Sequence, residues 1–252
     1  MPRFKLTLEY DGTGLVGWQR QNNGLSVQEI LETAVERYCG ERLVVHGAGR
    51  TDAGVHALGQ VAHLDLAKDA APDVIRNALN QHVKPHAVAV LAVAPVEPNF
   101  DARRSARGRV YRYRILNRRP PAVIERGRVW HVGPALDETA MQQGARLLIG
   151  RHDFSSFRDS LCQARSPVKT LDRLDVTRQG DEIAIEARAR SFLHHQVRNM
   201  VGTLKLVGAG KWKVAQVAEA LAARDRRAGG PTAPPEGLYL VEVIYGPSEA
   251  AY

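Results

Sequence analysis

At 252 residues, with 44% hydrophobic and 25% charged side chains, the chain has enough apolar mass for one large domain or for two of about 100 to 150 residues each. No window approaches the roughly 18 to 20 consecutive apolar residues of a membrane span, and Met1-Pro2-Arg3-Phe4 lacks a signal-peptide core, so a cytoplasmic protein is expected. The formal net charge of +8 favours a polyanionic partner, and it is unevenly spread: residues 1–100 hold 9 basic against 11 acidic side chains, so the excess lies in residues 101–252.

Arg3 to Tyr10 alternates Phe4, Leu6, Leu8 and Tyr10 with polar residues, the period of a half-buried strand. A Gly-rich loop, 11–25, follows. Its Asp11-Gly12-Thr13-Gly14 lacks the Lys-Ser/Thr ending of a phosphate loop, and nothing points to a nucleotide cofactor. Trp18 with Gln19 and Arg20 reads either as a core anchor with a polar flank or as a loop touching RNA. Ser26 and Glu29 form a capping-box pattern ahead of Val27, Ile30, Leu31, Ala34, Val35 and Tyr38, which predicts a helix over 26–38. Leu43–His46 and Gly59–Leu66 read as strands flanking the loop Gly49-Arg50-Thr51-Asp52-Ala53-Gly54-Val55-His56-Ala57. A short loop on a sheet aims one carboxylate into a cleft, but spacing alone favours a turn aspartate bonded to its own backbone. Arg50 lies within reach of that carboxylate or of a phosphate. Pro72–Val83 reads as a helix and Ala87–Val96 as an apolar strand, completing a βαβ(β)αβ half.

The second half is expected to begin near Asn99. Between Arg103 and Arg128 stand ten arginines and one acid, Glu125. With Tyr111 and Tyr113 inside the run, it reads as phosphate contact plus base stacking. The predicted elements are a strand over Arg109–Asn117, a helix over Asp137–Ile149, strands near 168–177 and 181–190, helices near 192–207 and 214–224, and a strand over Leu238–Ile244. Residues 227–237 read as a loop, and those after Pro247 as frayed. Glu182, Glu186 and Arg188 read as the solvent face of their strand. Short connections such as Gln179-Gly180-Asp181 point to antiparallel pairing and an α+β fold. On the 192–207 helix, Leu193, Val197, Met200, Val201, Leu204 and Val207 form an apolar stripe with His194 and Arg198 beside it, four residues apart. A half-buried arginine requires an acidic partner, for which Asp52 is a candidate; the alternative is a solvated Arg198. Adjacent His194 and His195 on a helix point about 100° apart and are a poor pair for one metal ion. Cys39 and Cys162 lack zinc or disulfide spacing and are expected as thiols.

Five ordered blocks resemble the TruA family of tRNA pseudouridine synthases. They are Tyr10-Asp11-Gly12-Thr13-Gly14 with Gly17-Trp18-Gln19-Arg20-Gln21, the loop Gly49 to Ala57 with Gly59-Gln60, Arg109-Val110-Tyr111-Arg112-Tyr113, Phe192 to Gly202, and Glu236-Gly237-Leu238-Tyr239-Leu240. The resemblance implies a pseudouridine synthase fold: two related α/β sandwich-like domains with a mainly antiparallel sheet and a cleft between them, divided here as 1–100 and 101–252. It implies a homodimer that binds the tRNA anticodon stem-loop and isomerises uridines 38, 39 and 40 without metal or organic cofactor. By motif position, Asp52 takes the family's catalytic role, Tyr111 its stacking role, and Arg198 the pairing with the aspartate. Arg50, Arg20, Arg109, Arg112, His194 and Leu238 are the further expected substrate contacts. Val110 departs from the family, where a basic residue is also seen. Two other classes use part of the same sequence: a non-catalytic RNA-binding module, which gives Asp52 no task, and a nucleoside hydrolase or glycosyltransferase, which leaves the basic second half without one.

Overall fold

The computed structural model describes residues 1–68 and 70–246, so the fraying expected after Pro247 lies outside the described residues. The chain forms two compact units, one of residues 1–107 joined by the chain from Tyr239 onward, the other Gly108–Leu238. The last strand thus returns to the first unit, which a linear division at residue 100 does not express.

In the first unit, β1 (Arg3–Tyr10) lies between β3 (His56–Asp65) and β4 (Val88–Val96), antiparallel to both. The short β2 (His46–Gly47) pairs antiparallel with β3, and the returning β10 (Leu238–Ile244) pairs with β3 in parallel. Alternation in β1 drives Phe4, Leu6, Leu8 and Tyr10 into the core, as expected from period two. Two helices, α1 (Val27–Cys39) and α2 (Pro72–His82), pack on each other, and α2 also packs on β4. The start of α1 accounts for each of its first amides. Those of Val27 and Gln28 donate to the carbonyls of Gly17 and Trp18, and that of Glu29 donates to Ser26 Oγ. The second half of the capping box is replaced, because the Glu29 carboxylate faces Arg20.

In the second unit the strand order is β5 (Gly108–Leu116), β9 (Glu182–Ala189), β8 (Val168–Gln179) and β7 (Gly150–Asp153), with every neighbour antiparallel. The two-residue β6 (Trp130–His131) runs parallel beside β5. Both β6 and β7 are too short for their periodicity to be legible. Three helices belong to this unit: α3 (Glu138–Arg146), α4 (Gln196–Gly208) and α5 (Ala215–Ala223). The apolar sides of β5, β8 and β9, including Tyr113, Ile115, Leu174, Ile183 and Ile185, are buried together with Met141 of α3 and Leu204 of α4. The fold is therefore α+β and mainly antiparallel, as expected.

The strand expected over Leu43–His46 shrinks to β2 at His46–Gly47, and the start of α4 also moves. The helix expected from 192 starts only at Gln196, because His195 adopts a left-handed conformation (φ 60°) and Gln196 Oε1 accepts the Leu193 amide across that turn. His194 and Arg198 are therefore not successive turns of one helix. The expected loop 227–237 is fixed tightly to α4. A Cβ on Gly202 would stand 1.7 Å from the Pro231 carbonyl oxygen, so only glycine permits this approach. Asn199 accepts from Arg226 and Thr232, and Thr203 Oγ1 accepts the Gly230 amide.

Candidate functional site in each unit

In the first unit the Asp52 loop is held by the neighbouring Gly-rich loop. The Thr51 carbonyl accepts from the Trp18 amide at 3.1 Å, and the Gly54 amide donates to the Leu15 carbonyl at 3.3 Å. Asp52 itself is half-buried, and its carbonyl accepts from Val55, closing a tight turn. Gly17, at φ 98°, passes so close that a Cβ there would lie 2.4 Å from the Thr51 oxygen. From below, the buried Tyr10 hydroxyl bonds Thr51 Oγ1 at 2.8 Å, and Gln60 reaches the Gly49 carbonyl at 2.9 Å. Burial pushes the Tyr10 phenol up to about 12, against the opposing hydrogen bonds of Thr51 and Gln60, so it stays protonated at neutral pH. At the far end of the loop, buried His56 stacks on Tyr239 and sets Nδ1 3.0 Å from the Gly12 amide and 3.1 Å from Asp11. The result is a half-buried aspartate on a turn braced from several sides.

Arg50 is exposed and forms no ion pair among the described residues. Arg20 is engaged by Glu29 at 3.4 Å and Glu32 at 3.3 Å. Trp18 is buried against Gly47, and buried Gln28 joins Gln19, Glu32 and the Val45 carbonyl. Of the two readings of Trp18 to Arg20, a core anchor with a polar flank describes this arrangement.

In the second unit, β5 divides the two tyrosines by burial. Tyr113 is fully buried, and its hydroxyl donates to the Pro234 carbonyl at 2.7 Å. Burial, reinforced by nearby Glu236 and opposed by Arg198, pushes its phenol well above the ordinary value. Tyr111 is only half-buried and meets Phe192 edge to face, with ring centroids 5.3 Å apart. Arg198 is half-buried on α4; its Nε donates to the Ala233 carbonyl at 2.8 Å, and its own carbonyl accepts from the Ala233 amide at 3.1 Å. Leu238 is buried at the start of β10.

His194 and His195 do not stand on a helix, so the angular argument against their approach fails. Their ring centroids are 4.0 Å apart, and both point Nδ1 at Asp159, at 3.6 Å for His194 and 2.7 Å for His195. Burial pushes the Asp159 carboxyl upward, but the Leu161 amide and the two histidines outweigh it and hold it below the usual range. Sequence reasoning missed Asp159, which lies 36 residues from its principal partner.

The arginine run also separates into classes. Arg112 pairs with Glu186 at 3.2 Å, and Arg114 is clamped by Glu182 at 2.7 Å and by Glu125. Arg173 reaches Glu186 from β8, so the acids read as solvent face neutralise part of the run. Arg109 donates to the Arg190 carbonyl. Arg118 is exposed and reaches Asp181 at 3.7 Å, and Arg103, Arg104, Arg107, Arg119, Arg126 and Arg128 are exposed.

A family model described as tRNA pseudouridine synthase matches residues 7–103 and 145–246. The chain is 64% identical to tRNA pseudouridine synthase A of Rhodospirillum centenum over 245 residues, covering 97% of this chain and 100% of that protein. It is 62% identical over 248 residues to the protein of the same name from Paramagnetospirillum magneticum, covering 98% and 97% of the two chains. Against that from Acidiphilium cryptum the identity is 63% over 249 residues, with 97% of each covered. Family match, relatives and the α+β fold agree, and the chain belongs to the tRNA pseudouridine synthase family.

Proposed function

We propose that this enzyme isomerises uridines 38, 39 and 40 of the tRNA anticodon stem-loop to pseudouridine in the cytoplasm, acting as a homodimer and without a cofactor. The relatives' shared name supports tRNA as substrate, and the anticodon stem-loop follows the family resemblance. The observation that carries the chemistry is the half-buried Asp52 on a turn braced by Trp18, Leu15, Tyr10 and Gln60. The reaction breaks the N1–C1′ bond, rotates the uracil, joins C5 to C1′, releases the C5 proton and protonates N1, so the atoms balance without a redox partner. Asp52 serves as the carboxylate that attacks C1′, abstracts the C2′ proton or adds to C6; all three require an ionised, fixed aspartate. Tyr111 supplies the stacking surface for the unstacked base, and its half-burial supports that role over the buried Tyr113. Arg198 is proposed as the cation that keeps Asp52 ionised. Arg50 and the exposed arginines of the 103–128 run take phosphates, while Arg20, Arg109, Arg112 and His194 shape the protein through the contacts described above.

The test is direct. Asp52→Asn and Asp52→Ala are expected to abolish pseudouridine in unmodified tRNA, mapped chemically, while tRNA binding changes by less than about threefold. Normal turnover by either variant removes Asp52 from the mechanism. Release of free uracil identifies a hydrolase instead.

A further inference from the structure

His195 is one of two non-glycine residues with positive φ among those described, and it occupies the junction between β9 and α4. A side chain in this conformation is costly, and it persists only where the surroundings over-determine it. Here the surroundings are Asp159. Its Oδ2 takes His195 Nδ1 at 2.7 Å, and its amide donates to the His194 carbonyl at 3.1 Å. Its Oδ1 accepts from Leu161, fixing the carboxylate's own orientation. Within the same turn, the His194 amide donates to Cys162 Sγ. The clamped segment carries Phe192 three residues before His195, against the ring of Tyr111, and Arg198 three residues after it.

We infer that Asp159 is a positioning residue for the isomerase: through His195 it locks the left-handed turn that sets where Phe192 holds Tyr111 and where α4 presents Arg198. The inference rests on the reading of Tyr111 and Arg198 as site residues. On the same face of β9, the residue directly opposite Tyr111 is Ala187, too small to fix an aromatic ring, so Phe192 supplies the orientation. Asp159 touches no reacting atom. Its effect is geometric, and it falls on turnover more than on tRNA affinity.

The decisive variant is His195→Gly in the full-length enzyme. Glycine adopts the left-handed turn without strain, which offsets part of the lost Asp159 bond, so the variant stays folded at the assay temperature while the tether is lost. The expected result is a kcat lower by about 10- to 100-fold with KM for unmodified tRNA within about twofold. Asp159→Ala, which also loses the His194 contact and the Leu161 amide bond, is expected to lose at least as much, and the double variant to lose less than the sum of the two, because both remove the Asp159–His195 bond. Asp159→Asn retains Leu161 through its oxygen and donates its amide to Nδ1 of the other His195 tautomer, and is expected to recover most of the activity. Wild-type kcat in His195→Gly, or additive losses in the double variant, overturns the inference. Tyr111→Ala is assayed beside them. If it is fully active the underlying site reading falls and the inference with it, whereas an inactive Tyr111→Ala with an active His195→Gly refutes the positioning role alone.

Discussion

Replacing Gly17 with alanine places a methyl carbon 2.4 Å from the Thr51 carbonyl oxygen and 2.9 Å from the Asp52 carbonyl carbon, at a φ of 98° that disfavours any side chain. Ordinary contact begins near 3.4 Å, so one loop must retreat by about 1 Å. The retreat stretches the Trp18 amide to Thr51 carbonyl bond and threatens the Val27 amide bond to the Gly17 carbonyl, which caps α1. Strain and one weakened hydrogen bond together cost about 2–4 kcal/mol, equivalent to a melting temperature lower by roughly 5–15 °C. Because the loop that moves carries Asp52, kcat should fall by about 100-fold even at temperatures where the variant is fully folded. Thermal denaturation followed by circular dichroism, with single-turnover pseudouridine formation measured well below the transition, separates the two effects. A Gly17→Ala variant with wild-type stability and rate refutes the claim that the two loops brace each other.

Salt dependence distinguishes the two classes of arginine. Arg119→Gln should reduce the slope of log affinity for tRNA against log salt by roughly 0.7 to 0.9, whereas Arg112→Gln, whose guanidinium is held by Glu186, should reduce it less. Equal slopes for the two variants would contradict the division. Arg114 holds the Glu182 carboxyl below its ordinary value of 4.5, so the folded pKa is depressed and the pair's stabilisation is present above 4.5 and lost as pH falls below it. Glu182→Gln should therefore narrow the stability gap to wild type in denaturant titrations below that pH, while a constant gap down to pH 3 counts against the linkage. Tyr111→Phe keeps the ring and should retain base stacking, and Tyr111→Ala should lose both stacking and any hydroxyl role. Equal activity of wild type and the alanine variant, measured on unmodified tRNA, removes Tyr111 from the site.

Local patterns made much of the fold legible. Period-two burial specified β1 to the residue, and β10 matched its expected span because its apolar run is bounded by Gly237 and Tyr245. Ser26 located the start of α1 because a hydroxyl satisfying an orphan amide is a short-range effect. The arginine run pointed to Tyr111 and the apolar stripe to an Arg198–Asp52 pair, but spacing alone favoured a turn aspartate, and the family resemblance is what gave the three residues their roles. Other features depend on partners distant in sequence. The start of α4 is displaced from Phe192 to Gln196 by a turn whose anchor, Asp159, belongs to another segment. Periodicity counted Leu193 into the helical stripe because its side chain is buried, yet burial does not require helical backbone.

The arginine run shows the same division. Sequence determined that ten arginines cluster between 103 and 128, and with them the attraction for a polyanion, because net charge is fixed by composition. Only the tertiary structure decided which of them are held by acids on the neighbouring strand. Antiparallel register sets Arg112 opposite Glu186 and brings Arg114 to Glu182, pairs separated by 74 and 68 residues, while the arginines beyond the strand stay exposed. Charge is a property of the chain, but its availability is set by which strands pair and in what register, and register is decided by burial of the opposite face.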